Sequence, residues 1–179
     1  MTRARIETSS LRVALGVCAK TAALAATMIG SATAASPSTL FKPGYNLCKA
    51  ASLAAIGKAG GQTYQAGRFD GHVCNWERKD LKAGITLSLF KGAAAAAMRT
   101  QIGAVHGSAS GPGGLKMTSV HAPGASAAVL ETLPAVVKGE ASKALFAVYP
   151  QGIVHVNMTA PGSLPTTRLL AVLAAVTKP

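Results

Sequence analysis

His72 and Cys74 stand two residues apart. On a strand that spacing puts both side chains on one face. There they could share a metal, with His155 from a second strand and His106 or His121 completing the set. His72 and His155 are thus the weak candidates for a metal site, and for a secreted hydrolase or metal-dependent enzyme. Cys74 has a competing use, because it can pair with Cys48 as a disulfide in an oxidising compartment. Such a bridge is worth about 3 kcal/mol by constraining the unfolded chain. No second close pair of ligands accompanies His72 and Cys74, so the bridge is the expected use of the cysteine. His72 then reads as a hydrogen-bonded histidine at the edge of the core.

Other catalytic chemistry lacks its local signatures. There is no Gly-x-Ser-x-Gly elbow, and Gly107-Ser108-Ala109-Ser110-Gly111 has the wrong spacing for one. No phosphate-cradling glycine loop follows a strand, and no motif implies a cofactor. Outside the first 34 residues the acids are Asp70, Glu77, Asp80, Glu131 and Glu140, with no pairing of the kind that flanks a glycosidic bond. Trp76, the single tryptophan, could stack on a sugar or base, but beside a cysteine on a buried face it reads as core. Tyr64 and Tyr149 fall on or near loops and are the expected exposed aromatics.

The chain is basic, with 18 Lys and Arg against 6 Asp and Glu. Part of that charge belongs to a leader: Arg3, Arg5 and Arg12 precede the small-apolar run Thr21–Gly30, which closes on Ala32-Thr33-Ala34. A basic start, a short apolar stretch and an A-x-A site are the pattern of a cleaved export signal. The mature chain is expected to begin near Ala35, outside the cytoplasm. Cys18 follows Leu15-Gly16-Val17 and is expected to leave with the leader, because Val17 does not suit a lipidation signal. The remainder keeps an excess of cations, which favours anionic partners such as envelope polymers or lipid headgroups. The densest cluster is Arg78-Lys79-Asp80-Leu81-Lys82, so Arg78, Lys79 and Lys82 are the candidate contacts. No basic run gives a specific nucleic-acid signal.

The positioning elements follow from periodicity. Residues 35–44 read as an extended, turn-rich lead-in to one domain over 45–179. Asn46 can cap a helix over 47–58, ended by Gly57, Gly60 and Gly61. After a loop over 62–71, residues 71–78 read as a strand with His72, Cys74 and Trp76 on its buried face. Ile85, Leu87 and Leu89 alternate in a second strand over 83–91. An Ala-rich helix over 92–106 carries the stripe Met98, Ile102, Val105. Residues 107–114 read as a flexible glycine-rich loop. Strands are expected over 115–121 and 127–133, then a hairpin of 142–149 and 153–159 about Tyr149-Pro150-Gln151-Gly152, which suits a type I turn. Ser163 can cap a last helix with Pro165 in its first turn. The order predicts an α+β two-layer sandwich, a mainly antiparallel sheet with helices on one face and one disulfide.

Leu47-Cys48 before a short Ala-rich helix, then Gly57, then Cys74-Asn75-Trp76 before an alternating strand, resembles small exported actinobacterial domains of unknown function, many of them lipoproteins. Pro123-Gly124-Ala125-Ser126 stands where their later glycine turn lies. The resemblance covers most of 45–177 and departs from the family in lacking a lipobox cysteine. It implies a secreted or envelope domain with one structural disulfide, and it transfers no catalytic residues. The expected function is a non-enzymatic binding domain for an anionic or amphipathic partner. The rivals are the histidine enzyme described above and a protein-interaction or inhibitor module using the 107–114 loop.

Overall fold

The computed structural model describes residues 36–111, 114–134 and 138–177. The leader read over residues 1–34 and Cys18 lie outside the described residues. The elements run α1 (Pro37–Leu40), a 3₁₀ turn (Leu47–Lys49), α2 (Leu53–Gly60), β1 (Arg68–Asp70), β2 (Val73–Glu77), β3 (Gly84–Phe90), α3 (Gly92–Gly103), β4 (Ser108–Ser110), β5 (Lys116–Ser119), β6 (Ala127–Leu133), β7 (Glu140–Tyr149), β8 (Gly152–Pro161) and α4 (Thr166–Thr177). The strands form one 8-stranded antiparallel sheet in the order β1-β2-β3-β8-β7-β6-β5-β4. The fold is α+β, and Cys48 and Cys74 are bridged across 26 residues.

Alternation explains the strands. Ile85, Leu87 and Leu89 of β3 and Val154, Val156 and Met158 of β8 all join the main core. Leu145 and Ala147 of β7 add to the same face, and α2 and α4 cover it, with Ile56, Leu169, Val172, Leu173 and Val176 buried between helices and sheet. Tyr149-Pro150-Gln151-Gly152 turns β7 into β8, with Tyr149 opposite Gly152. Gly152 is required there, since a Cβ would stand 2.5 Å from the Phe41 ring.

The helices are not all on one face. α3 packs on the opposite side, where Ala95 and Ile102 meet Val129, Ala144, Phe146, Val148 and Ile153. These residues alternate with the main-core positions, so the sheet has two apolar patches and each needs a cover. Other expectations change as well. The helix over 47–58 is two pieces: Asn46 accepts from Cys48 N–H in the 3₁₀ turn and Ser52, in extended conformation, accepts from Ala55 N–H to start α2. Two capping residues six apart favour a break over one continuous helix. The 35–44 lead-in contains the helical turn α1, which sinks Leu40 into the core. Within the glycine-rich stretch, Ser108–Ser110 pairs with β5. Pro165 stands just before α4.

Around the disulfide the packing leaves no space. A Cβ on Gly67 would lie 2.7 Å from Cys74 Sγ and from Trp76 Nε1, and 2.8 Å from Cys48 Sγ. Trp76 is 1% exposed, which makes it core. Gly67→Ala must therefore move the bridge or the indole, and overpacking of this kind costs about 1–3 kcal/mol. Denaturant unfolding of the oxidised protein should give that loss. Reduced protein, whose sulfurs can separate, should lose less.

Candidate functional site

The β2–β3 hairpin carries the cationic cluster predicted from sequence. Arg78 Nε donates to Asp80 Oδ1 at 2.8 Å, Arg78 Nη2 donates to Asp80 Oδ2, and Arg78 Nη1 donates to Gln62 Oε1 at 2.8 Å. The Asp80 carboxylate also accepts from the Lys82 amide at 3.1 Å. The hydrogen bonds from Arg78 hold the Asp80 carboxyl below the usual carboxylate range. Arg78 thus builds the turn and ties it to the Gln62 loop, and its guanidinium is occupied. Of the three candidate contacts Arg78 is thus the one with a counter-ion, though it still lines the groove, while Lys79 and Lys82 are exposed.

Arg168 is the cation that sequence reasoning missed. It is the only Lys, Arg, Asp or Glu between Lys143 and Lys178. Its neighbours Leu169, Val172, Leu173 and Val176 anchor α4 against α2 and the sheet, which places Arg168 at the C-terminal end of α2. There Gly61 caps α2 in the left-handed region at φ 69°. A Cβ on Gly61 would stand 2.9 Å from Arg168 Cζ, so the guanidinium lies directly on this glycine. Among the described residues no carboxylate forms an ion pair with Arg168, since Arg78–Asp80 is the one salt bridge found there.

Together these residues line an open groove of about 760 Å³: Gly61–Thr63 from one side, Arg78, Lys79 and Asp80 from the hairpin, and Pro161 at the end of β8, Ser163 in the link that follows and Arg168 in the first turn of α4. A second groove of about 620 Å³ lies along α2. The two share Gly61, Gln62 and Thr63, and the second adds Leu53, Ala54, Gly57, Lys58 and Tyr64.

Tyr64 is buried, at 4% exposure, and Tyr149 at 2%, which corrects both as exposed aromatics. Tyr149 extends its hydroxyl to 3.5 Å from the Pro123 carbonyl. Tyr64 fills the space over Gly60, where a Cβ would stand 2.8 Å from its hydroxyl. That hydroxyl has no hydrogen-bond partner among the described residues. Burial raises its pKa, and the charges of Arg168 and Arg78 act in the opposite direction.

The histidines do not converge. His72 is exposed in the β1–β2 turn, not on the buried face of β2, and lines a hollow with Leu40, Tyr45 and Lys91 on the main-core side. His155 lies on the α3 side of β8, stacked on Phe146 with ring centroids 4.4 Å apart. Cys74 is in the disulfide and supplies no thiolate. No group of three His, Cys, Asp or Glu suited to a metal occurs among the described residues. Ser88 Oγ and His155 Nδ1 are 2.8 Å apart, a pair not anticipated from sequence. It arises because the β3–β8 register puts these two residues opposite each other. Burial pushes the His155 pKa down to about 4, and an imidazole with that value is a weak proton acceptor at neutral pH.

No protein-family model matches the chain, and no curated protein or solved structure matches it.

Two expectations follow. Leu81 is the one non-glycine residue at positive φ among the described residues, at 58°, and it is 73% exposed. Leu81→Gly removes that strain and little burial, so thermal unfolding should show about 1 kcal/mol of added stability. His155, neutral when folded, contributes stability that is complete above its unfolded pKa of about 6.5. That contribution falls by up to ~3 kcal/mol as pH drops toward its folded value of about 4. A Ser88→Ala, His155→Phe double variant should lack this part of the slope in denaturant melts between pH 7 and pH 4.

Proposed function

We propose that the protein is a secreted or envelope-associated, non-enzymatic binding domain that meets an anionic partner at the α2–hairpin–α4 groove. The carrying observation is the charge balance there. Arg78 and Asp80 neutralise each other, while Lys79 and Arg168 line the groove without an ion-pair partner among the described residues. Lys58 extends the positive field along the second groove, and Lys82 adds to it beside the hairpin turn. A groove of one sign attracts and orients an oppositely charged ligand. The leader pattern over residues 1–34 and the Cys48–Cys74 bridge support an oxidising, extracytoplasmic setting.

The reading is tested by titrating the protein with inorganic polyphosphate at low and high salt. Binding should weaken steeply as salt rises, because exposed charges are screened. Arg168→Gln and Lys79→Gln should each weaken it about fivefold, in keeping with roughly 1 kcal/mol for a cation near an anionic surface. Lys42→Gln, away from the groove, should change it little. Salt-insensitive binding, or equal loss at Lys42 and Arg168, would overturn the reading.

A further inference from the structure

We infer that the groove takes a single-chain anionic amphiphile, with its phosphate or carboxylate head between Arg168 and Tyr64 and its apolar chain along α2. The inference deepens the binding reading above and rests on it. Its first support is polarity along one track. The cationic groove and the α2 groove adjoin, with Gly61, Gln62 and Thr63 lining both. At the far end stands Leu53, 42% exposed, one of two large hydrophobic residues exposed among the described residues. Ala54 and Gly57 continue its surface toward the charges. Within the α2 groove Lys58 stands on the Gly61 side and Leu53 and Ala54 at the start of the helix, so cations and apolar wall are separated along it as a head and a tail are, whereas a uniformly charged polymer gains nothing from the wall. An extended peptide is the poorer fit, because the α2 wall is helical and presents no sheet edge for backbone pairing.

The second support is Tyr64. Tyr64 is one of the residues lining the α2 groove, and its hydroxyl is buried with no partner among the described residues. The consecutive glycines Gly60 and Gly61 are covered in turn, Gly60 by the Tyr64 hydroxyl and Gly61 by the Arg168 guanidinium, and the Arg168 charge is felt at the Tyr64 hydroxyl. An oxyanion on Arg168 accepts a charge-assisted hydrogen bond from its guanidinium, which is among the stronger kinds, and the unpaired Tyr64 hydroxyl becomes a second donor once the head group displaces the packing that covers it.

The test is calorimetric titration of the protein with monododecyl phosphate below its micelle concentration, beside inorganic phosphate, inorganic polyphosphate and dodecyl maltoside. Dodecyl phosphate should bind at least tenfold more tightly than inorganic phosphate or the maltoside. Leu53→Ser should weaken dodecyl phosphate about tenfold, the equivalent of burying a large part of one leucine, and leave polyphosphate unchanged. Tyr64→Phe should weaken dodecyl phosphate severalfold without lowering the melting temperature, which separates a ligand contact from a structural role. If Leu53→Ser has no effect while polyphosphate still depends on Arg168, the amphiphile inference fails and the anion reading stands. If dodecyl maltoside binds as well as the phosphate, or Tyr64→Phe binds normally, the head-group placement fails. If no anion binds, both readings fail together.

Discussion

The pairing of β3 with β8 is the constraint on which the rest of the molecule depends. Every other strand pairing joins strands adjacent in sequence, so the sheet is two meanders, β1–β3 and β4–β8. The β3–β8 ladder, from Gly84 opposite Thr159 to Phe90 opposite Ile153, is what makes them one sheet. Long-range pairing is entropically costly to form, and here both strands are apolar on the face they share. Leu87 lies opposite Val156 and Ile85 opposite Met158, all fully buried. A slip of one residue would turn those side chains to the α3 face and bring Ser88 and His155 into the main core. The register is therefore set by burial as well as by hydrogen bonding.

The groove is a consequence of the same ladder. Its hairpin side, Arg78–Asp80, belongs to the first meander, and its other side, Pro161 to Arg168, runs from the end of β8 into α4. Only when β3 and β8 are in register does α4 fold back beside α2 and bring Arg168 onto Gly61. The division of labour among the cations follows. Arg78 is held by Asp80 and Gln62 and keeps the hairpin against the 62–64 loop. Arg168 is positioned by apolar neighbours instead of a counter-ion, which leaves its charge directed at the groove. A surface pair such as Arg78–Asp80 adds little stability, so its contribution is to fix the shape of the turn.

Strands with period-two alternation were readable from sequence, as in β2, β3 and β8, whereas β7 was read from its apolar run up to the turn and is buried on both faces from Ala144 to Tyr149. The Tyr149–Gly152 turn and the Cys48–Cys74 bridge were readable from local chemistry. The short outer strands β1 and β4 were not. Three residues are too few to show a period, and the edges of a sheet need little apolar patterning. The burial of Tyr64 and Tyr149 was hidden because the loops near them fold back over the core. Arg168 was hidden for a different reason. A single cation on an apolar helix looks like a solvated residue, and its value comes from Gly61, more than a hundred positions away. The signal available was its isolation in a long uncharged stretch, which marks the residue but not its neighbour.

On the proposed reading, Tyr64 ties stability to anion binding at one atom. A phenylalanine would fill the same space over Gly60 without burying a hydroxyl, and an unsatisfied buried hydroxyl costs about 1–3 kcal/mol. Folding alone does not recover that cost among the described residues. Nor does the fold rely on the hydroxyl for register, since the glycine pair and the β3 side chain Ile85 already define the space around the ring. The hydroxyl therefore has a thermodynamic role only if something reaches it, and the adjacent guanidinium of Arg168 makes an oxyanion the chemistry that would gain most. On this argument the stability of the free protein and its affinity for an anion are opposed at Tyr64, and both can be read from one substitution.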